Sequence, residues 1–368
     1  MDGKLSIPLS KVYMDDDIKN AVLEVLDSGW YILGEKVRQF EERFADYCGV
    51  KYAVCTSSGT SAIFLSLLSI GIGPKDEVIV PSFSFIATVS PILHLGAKPV
   101  FADIDLRTYN LNPNAVEKKV TKRTKAIIPV HLYGHPADMD PLIEVAEKNG
   151  LHILEDACQA HGAEYKGKKA GGIGHIACFS FYPSKNMTVC GDGGIITTDC
   201  EETSEKIQML RNHGRTEKYV HDLLGYNLRF NEIQAAIGLK QLEKLPNWIE
   251  ARRKIAKMYS NALKSKVTTP IEESWAKHVY HMYVIRTQKR DNLKKYLEYH
   301  KISAGVHYPL PIHRQPAVLS YIKSRGALKN TDECARSVLS LPIYPTQSKR
   351  EVRYVYEKVI DFLETNTG

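Results

Sequence analysis

With 368 residues, 43% hydrophobic and 25% charged, the chain is too long for one small core and ordinary in composition for a globular protein, so two domains are expected. It has no apolar run of 18 residues and no apolar N-terminal segment, which argues against a membrane span or a secretion signal and for the cytoplasm. A net charge of +7 suits small anionic molecules as well as nucleic acid, and seven scattered cysteines without a C-x-x-C pair speak against a zinc site or a disulfide framework.

DDDIKNAVLEVLDSG opens the regular structure, with Ile18, Val22 and Leu26 at helical spacing behind an aspartate cap. VRQFEERFADYCG repeats the pattern through Val37, Phe40, Phe44 and Tyr47. Short apolar runs follow: KYAVCT, EVIVP, KPVFADID, AIIPVHLYG, HILEDA, IACFSFY and GGIITTD. Helices are expected between them at Ser61–Ile70, Ile86–Leu95, Asn114–Val120 and Met139–Asn149. This alternation predicts an α/β fold with a mainly parallel sheet covered on both faces. The last two runs have no helix between them, which predicts an antiparallel excursion.

The character changes between Gly238 and Pro246, where a basic helical stretch, PNWIEARRKIAKMYSNALKS, follows. A boundary near residue 245 is expected, with a large domain over 1–245 and a smaller α+β domain over 246–368. The latter includes the strand-like YHMYVIRT and the amphipathic RTQKRDNLKKYLEYHK. Acidic residues interrupt the basic ones there, so the stretch reads as a helix face and not as a nucleic-acid patch.

In open parallel sheets, ligands collect beyond the carboxyl ends of the strands. Three such ends carry distinctive residues. SSGTSA places Gly59, Thr60 and Ser61 at a helix start, which is either an anion site or an ordinary N-cap. HILED ends on Asp156, a carboxylate that needs a cationic or hydrogen-bonding partner unless it caps the next turn. In PSFSFIAT, Phe85 either lies over a flat ring or fills core. GGIGHIA lacks the spacing and context of a dinucleotide-binding loop, and no Walker loop occurs.

FYPSKNMTVCGDGG then frames Lys185 between an apolar run and a glycine cluster. A lysine nucleophile forms a Schiff base with a carbonyl, most often that of pyridoxal 5′-phosphate (PLP). That chemistry asks for an anion cradle, an acid for the pyridinium nitrogen, a flat side chain against the ring, and the lysine. Thr60, Asp156, Phe85 and Lys185 supply all four.

The motifs SGWYILGEKVRQFE, SSGTSA, PSFSFIAT, GAKPVFADID, EDACQAHGAEYKGKKAGGIG, FSFYPSKN with GDGG, RNHG, GYNLRFNEIQAAIG, YPLPIHRQP and LSLPIYP occur in one order over nearly the whole chain. In that order they resemble the DegT/DnrJ/EryC1/StrS family of PLP-dependent sugar aminotransferases. The resemblance implies the aspartate aminotransferase type of fold (PLP fold type I). It assigns Lys185 to the Schiff base, Asp156 to the pyridine nitrogen, Gln159 to the side of the ring hydroxyl and Phe85 to stacking. Gly59, Thr60 and Ser180 match the phosphate cradle. Asn227 matches an asparagine that reaches the phosphate from the other subunit, which implies a homodimer with shared active sites. Tyr308 and His313 match a segment lining the substrate site.

The implied reaction moves an amino group from glutamate to a keto-sugar attached to a nucleotide, without nucleic acid, metal or membrane. FYPSKN with GDGG resembles members that aminate carbon 3, whereas FHxxKN or FNxxK with GEGG or GGGG marks carbon 4; MTVC stands where the carbon-3 group has LGA or similar. Related dehydratases have histidine at the lysine position, and Lys185 argues against that activity. A cyclitol or other non-sugar aminotransferase and a non-catalytic regulator on the same scaffold are the alternatives.

Overall fold

The computed structural model describes residues 6–322 and 327–365. Two helices lead the chain, α1 (Asp16–Ser28) and α2 (Glu35–Cys48). Asp15 caps α1 by accepting from the Ile18 N–H at 3.0 Å. The buried stripe of α1 is Ile18, Ala21 and Val25, one step round from the expected Ile18, Val22 and Leu26. Leu26 is exposed. In α2 the expected Val37, Phe40 and Phe44 are buried.

Seven strands form the central sheet: β1 (Tyr52–Thr56), β2 (Glu77–Pro81), β3 (Lys98–Ala102), β4 (Thr124–Ile127), β5 (His152–Asp156), β6 (Ile176–Ser180) and β7 (Gly194–Thr198). Their order is β1-β7-β6-β5-β4-β2-β3. All neighbours run parallel except β7, which is antiparallel to both β1 and β6. The expected antiparallel excursion is therefore the β6–β7 pair.

Helices α3 (Gly59–Ser69), α4 (Ser90–His94), α5 (Pro113–Glu117), α6 (Met139–Asn149) and α7 (Glu201–Leu210) connect and cover the strands. Period-two alternation sends successive side chains to opposite faces. Thus Val54, Cys178 and Ile196 join one cluster with Ile63 and Leu65 of α3, while Cys55, Phe179 and Ile195 pack against Phe40 and Phe44 on the other face. Both faces are apolar because both are covered.

Helix α8 (Glu232–Leu263) runs without a break past the division expected near residue 245, with Pro246 inside it. Its first half, with Leu245 and Trp248, belongs to the core of the sheet. Its second half, with Ile255 and Tyr259, belongs to a separate core. That core also holds β8 (Tyr283–Arg286) and β9 (Val338–Leu341), which pair antiparallel. Helices α9 (Arg290–Tyr299) and α10 (Lys349–Thr365) cover them through Leu293, Val355 and Phe362. No helix among the described residues is long and apolar enough to cross a membrane.

Candidate active site

A cavity of about 440 Å³ opens where the carboxyl ends of β5 and β6 meet the start of α3. Of the sequence-derived candidates, Gly59, Thr60, Phe85, Asp156, Gln159, Ser180, Lys185 and Tyr308 line it. They come from five stretches of chain, gathered by sheet topology.

Strand β5 ends on two adjacent acids with different environments, because alternation points them to opposite faces. Glu155 is fully buried, and its carboxylate accepts from the N–H groups of Gly171 (3.0 Å), Ile173 (2.8 Å) and Gly174 (2.7 Å) and from His131 Nε2 (2.9 Å). Burial alone would raise its pKa, but the histidine and the amides outweigh it and hold the carboxyl below its ordinary value. The glycines of GGIG thus wrap a carboxylate of their own chain. Asp156 faces the cavity and is 5% exposed. Its Oδ2 accepts from Thr88 Oγ1 at 2.7 Å and its Oδ1 from the Cys158 N–H at 3.2 Å. Thr88 hydroxyl is paired in turn with Ser84 Oγ at 2.8 Å.

Lys185 sits on the connection between β6 and β7, which bulges over the sheet's end. The loop is pinned at several points. Thr188 Oγ1 donates to the Phe181 carbonyl (2.8 Å). Gln241 of α8 accepts from the Thr188 N–H (3.1 Å). Gln234 Nε2 donates to the Asp192 carbonyl (2.6 Å). Burial lowers the pKa of the Lys185 amine, while Cys158 and Asp156 act in the opposite sense. An amine so placed loses its proton more readily than a surface lysine.

At the start of α3, Ser58 accepts from the Ser61 N–H (3.1 Å) and Ser61 Oγ from the Ser58 N–H (2.8 Å), a reciprocal cap. The cap therefore leaves room for unpartnered donors beside it. Ser58 and Ser61 do the capping, and the Gly59 and Thr60 N–H groups, without partners among the described residues, remain for a ligand. Glycine is required at 59, since a Cβ there would lie 2.7 Å from Ser180 Cβ. Gly194 is required too, since its Cβ would meet the Ser58 carbonyl oxygen at 2.3 Å.

Phe85 is 53% exposed, with its ring beside that of Tyr308 at 6.1 Å, so it is not core. Gln159 accepts from the Tyr133 N–H (2.9 Å) and donates to Tyr308 OH (3.1 Å), which fixes the phenol at the wall. Two candidates lie elsewhere. His313 is buried outside the cavity, its Nδ1 paired with Ser82 Oγ at 2.6 Å, and it faces a second cavity of about 470 Å³ with Lys98 and Phe101. The 3-10 turn Ile312–Arg314 bends it back onto the end of β2. Asn227 is exposed on the surface stretch opposite Asn212 and does not line its own chain's cavity, although the carbonyl of the next residue, Leu228, accepts from the Ser57 N–H at 3.1 Å.

Thr88, His281 and His307 also border Lys185's surroundings and escape the sequence reading. Thr88 lies one turn after Phe85 in PSFSFIAT. His281 hides in the strand-like YHMYVIRT, where nothing distinguishes it from core.

The sequence profile of the DegT/DnrJ/EryC1/StrS aminotransferase family matches residues 12–360. The chain is 42% identical to a pleiotropic regulatory protein of Geobacillus stearothermophilus over 97% of both chains. It is also 42% identical to the dTDP-3-amino-3,4,6-trideoxy-α-D-glucose transaminase of Streptomyces venezuelae, over 94% of this chain and 91% of that one. The crystal structure of S. venezuelae DesV, in complex with a ketimine intermediate, superimposes with a TM-score of 0.95 at 40% identity, covering 98% of this chain and 99% of that one.

Proposed function

The chain belongs to the DegT/DnrJ/EryC1/StrS aminotransferase family and is a PLP-dependent transaminase, and from that premise we propose that it moves an amino group from glutamate to a nucleotide-linked keto-deoxyhexose in the cytoplasm, at carbon 3 in preference to carbon 4. The observation that carries this reading is the gathering of Lys185 and Asp156 in one cavity beside unpartnered N–H groups.

The residues present fit the cofactor. Free amides at Gly59 and Thr60, with Ser180 beside them, suit a phosphate at a helix N-terminus. The Asp156 carboxylate, held by Thr88 and Cys158, suits a protonated ring nitrogen. Exposed Phe85 offers a face for the ring, and Gln159 an amide for its hydroxyl. When bound, PLP supplies the electron sink that stabilises negative charge at the substrate's amine-bearing carbon. Lys185 holds and returns the proton at that carbon through Nζ, and its lowered pKa favours the basic form this needs. Tyr308, fixed by Gln159, forms the substrate wall; His313, tied to Ser82, has a structural role.

The same reading makes the active enzyme a homodimer, with the partner's Asn227 completing the phosphate site. Its exposed position outside the chain's own cavity is in line with this, as are the exposed Trp30, Tyr182, Tyr219 and Leu224. We keep the division into 1–245 and 246–368 as a functional one, with α8 shared between the two parts. The carbon-3 preference rests on FYPSKN and GDGG and on the Streptomyces relative, named for a 3-amino sugar.

The test is incubation of the PLP-loaded protein with glutamate and a panel of dTDP- and UDP-linked 3-keto and 4-keto hexoses, with keto-inositol alongside. A product with the mass of an amino-sugar, absent with Lys185→Ala, is expected. Amination of keto-inositol alone would favour the cyclitol reading. No bound cofactor after PLP addition would favour the regulatory one.

A further inference from the structure

Tyr133 lies behind the cavity and does not line it, yet each of its polar groups reaches a residue that does. Its N–H donates to Gln159 Oε1 at 2.9 Å, its hydroxyl donates to the His307 carbonyl, and its own carbonyl accepts from the Met282 N–H at 3.3 Å. The residue is 2% exposed.

Its backbone is in the left-handed region, with φ 59° and ψ 3°. A bulky L-residue rarely adopts that conformation and keeps it only where the surroundings impose it. Here they do. Buried Asn110 accepts from the Leu132 N–H at 2.9 Å and donates to the His135 and Pro136 carbonyls at 2.9 and 3.0 Å. Gly134, next in the chain, is packed so closely that a Cβ would lie 2.8 Å from Val279 Cγ2. The Tyr133 ring rests edge to face against Tyr109, 5.4 Å away. The phenol therefore reaches out from a fixed base.

What it reaches needs holding. His307 and Tyr308 line the cavity but belong to the part of the chain after residue 245. Among the described residues, two hydrogen bonds tie residues 305–310 to the part before it. One runs from the Tyr133 hydroxyl to the His307 carbonyl, the other from Gln159 Nε2 to Tyr308 OH at 3.1 Å. Gln159 Oε1 is itself held by the Tyr133 N–H, so both ties lead back to one residue. The segment's bonds to Ser340, from His307 Nδ1 (2.9 Å) and through the Gly305 backbone, stay within the later part and cannot set its distance from the sheet.

We propose that Tyr133 is a positioning residue for the substrate wall: through its hydroxyl, and through Gln159, it sets where His307 and Tyr308 stand in the cavity that holds Lys185. This rests on the transaminase reading and deepens it, since Tyr308 is the wall against which that reading seats the keto-sugar. Because Tyr133 does not line the cavity, losing its hydroxyl changes how well the sugar is seated and leaves proton transfer at Lys185 intact.

The test uses the full-length chain. Tyr133→Phe removes the hydroxyl and keeps the ring and the N–H to Gln159. In the chain without cofactor, hydrogen–deuterium exchange read by mass spectrometry should quicken roughly tenfold over residues 303–311 and stay as in wild type over α10. In the PLP-loaded enzyme with glutamate and a dTDP-linked 3-keto hexose, KM for the sugar should rise roughly tenfold while kcat stays within about twofold. A variant that had merely lost folded protein would lose kcat at an unchanged KM. Unmoved exchange or an unmoved KM overturns the proposal, and so does exchange that quickens equally over α10, the sign of a general loss of stability. 3-Fluorotyrosine at 133 keeps the donor and makes it more acidic, so the His307 carbonyl ¹³C resonance should move; an unmoved resonance overturns the proposal whether or not Tyr133→Phe folds. A wild-type chain that aminates no nucleotide keto-sugar sinks the substrate reading, and exchange and resonance then judge Tyr133 by themselves. An active wild type with unmoved exchange in the variant sinks the positioning role alone.

Discussion

Replacing Thr88 with valine removes one hydroxyl from the site while keeping side-chain shape. Thr88 Oγ1 lies 2.7 Å from Asp156 Oδ2, and the two residues are 1% and 5% exposed. A buried donor to a charged acceptor contributes roughly 1.5–3 kcal/mol. The variant keeps the Cys158 N–H on Oδ1 and strands Oδ2, so unfolding in urea should become easier by about 2 kcal/mol. The carboxylate also loses the contact that aims it, and PLP should bind on the order of tenfold more weakly, which corresponds to about 1.4 kcal/mol. Equilibrium unfolding reads the first effect, and titration of the cofactor by absorbance reads the second. Thr88→Ser keeps the donor and should restore both. If valine matched wild type within about 0.5 kcal/mol while serine did not differ from it, the threonine would not be what holds Asp156.

Glu155→Gln removes a buried negative charge that four donors surround and should destabilise by roughly 3 kcal/mol at neutral pH. Because its folded-state pKa is depressed, the wild-type contribution is present above the unfolded value and lost as pH falls through the folded one. Stability measured by urea unfolding should therefore fall for wild type between about pH 5 and pH 3 and stay more nearly constant for the variant over the same range. Gly194→Ala drives a methyl into the Ser58 carbonyl and should cost about 1–3 kcal/mol; it should also weaken binding of inorganic phosphate to the cofactor-free chain, measured by calorimetry. His313→Ala should leave kcat/KM within about twofold while lowering stability by about 1–2 kcal/mol through its bond to Ser82, and a large kinetic loss would return His313 to the substrate site.

The sheet was legible because each strand is a short apolar run bounded by a breaker, and Asp156 because a carboxylate closing such a run must find a partner. What the pattern could not separate was Asp156 from Glu155, since their roles differ only by the face each one meets. Helix α1 shows the same limit. Ile18, Val22 and Leu26 and the observed Ile18, Ala21 and Val25 both fit helical spacing, and packing chooses between them. Tyr308 and His313 stand in one motif, yet a single turn sends one to the cavity and the other behind β2. The change at Gly238–Pro246 marks a change of surroundings along α8 and no interruption of the helix itself.

Gln234, Gln241 and Arg252 all project from α8. The first two steady the stretch that bears Lys185, and the third steadies the stretch that bears His281. At about 1.5 Å of rise per residue they span about 27 Å of one rod. Opposing walls of the chamber thus hang from a common beam, and Pro246 sits between their attachment points. Whatever bends the beam shifts both stretches at once without touching either, so the shape of the chamber is open to adjustment by substitutions in the middle of α8.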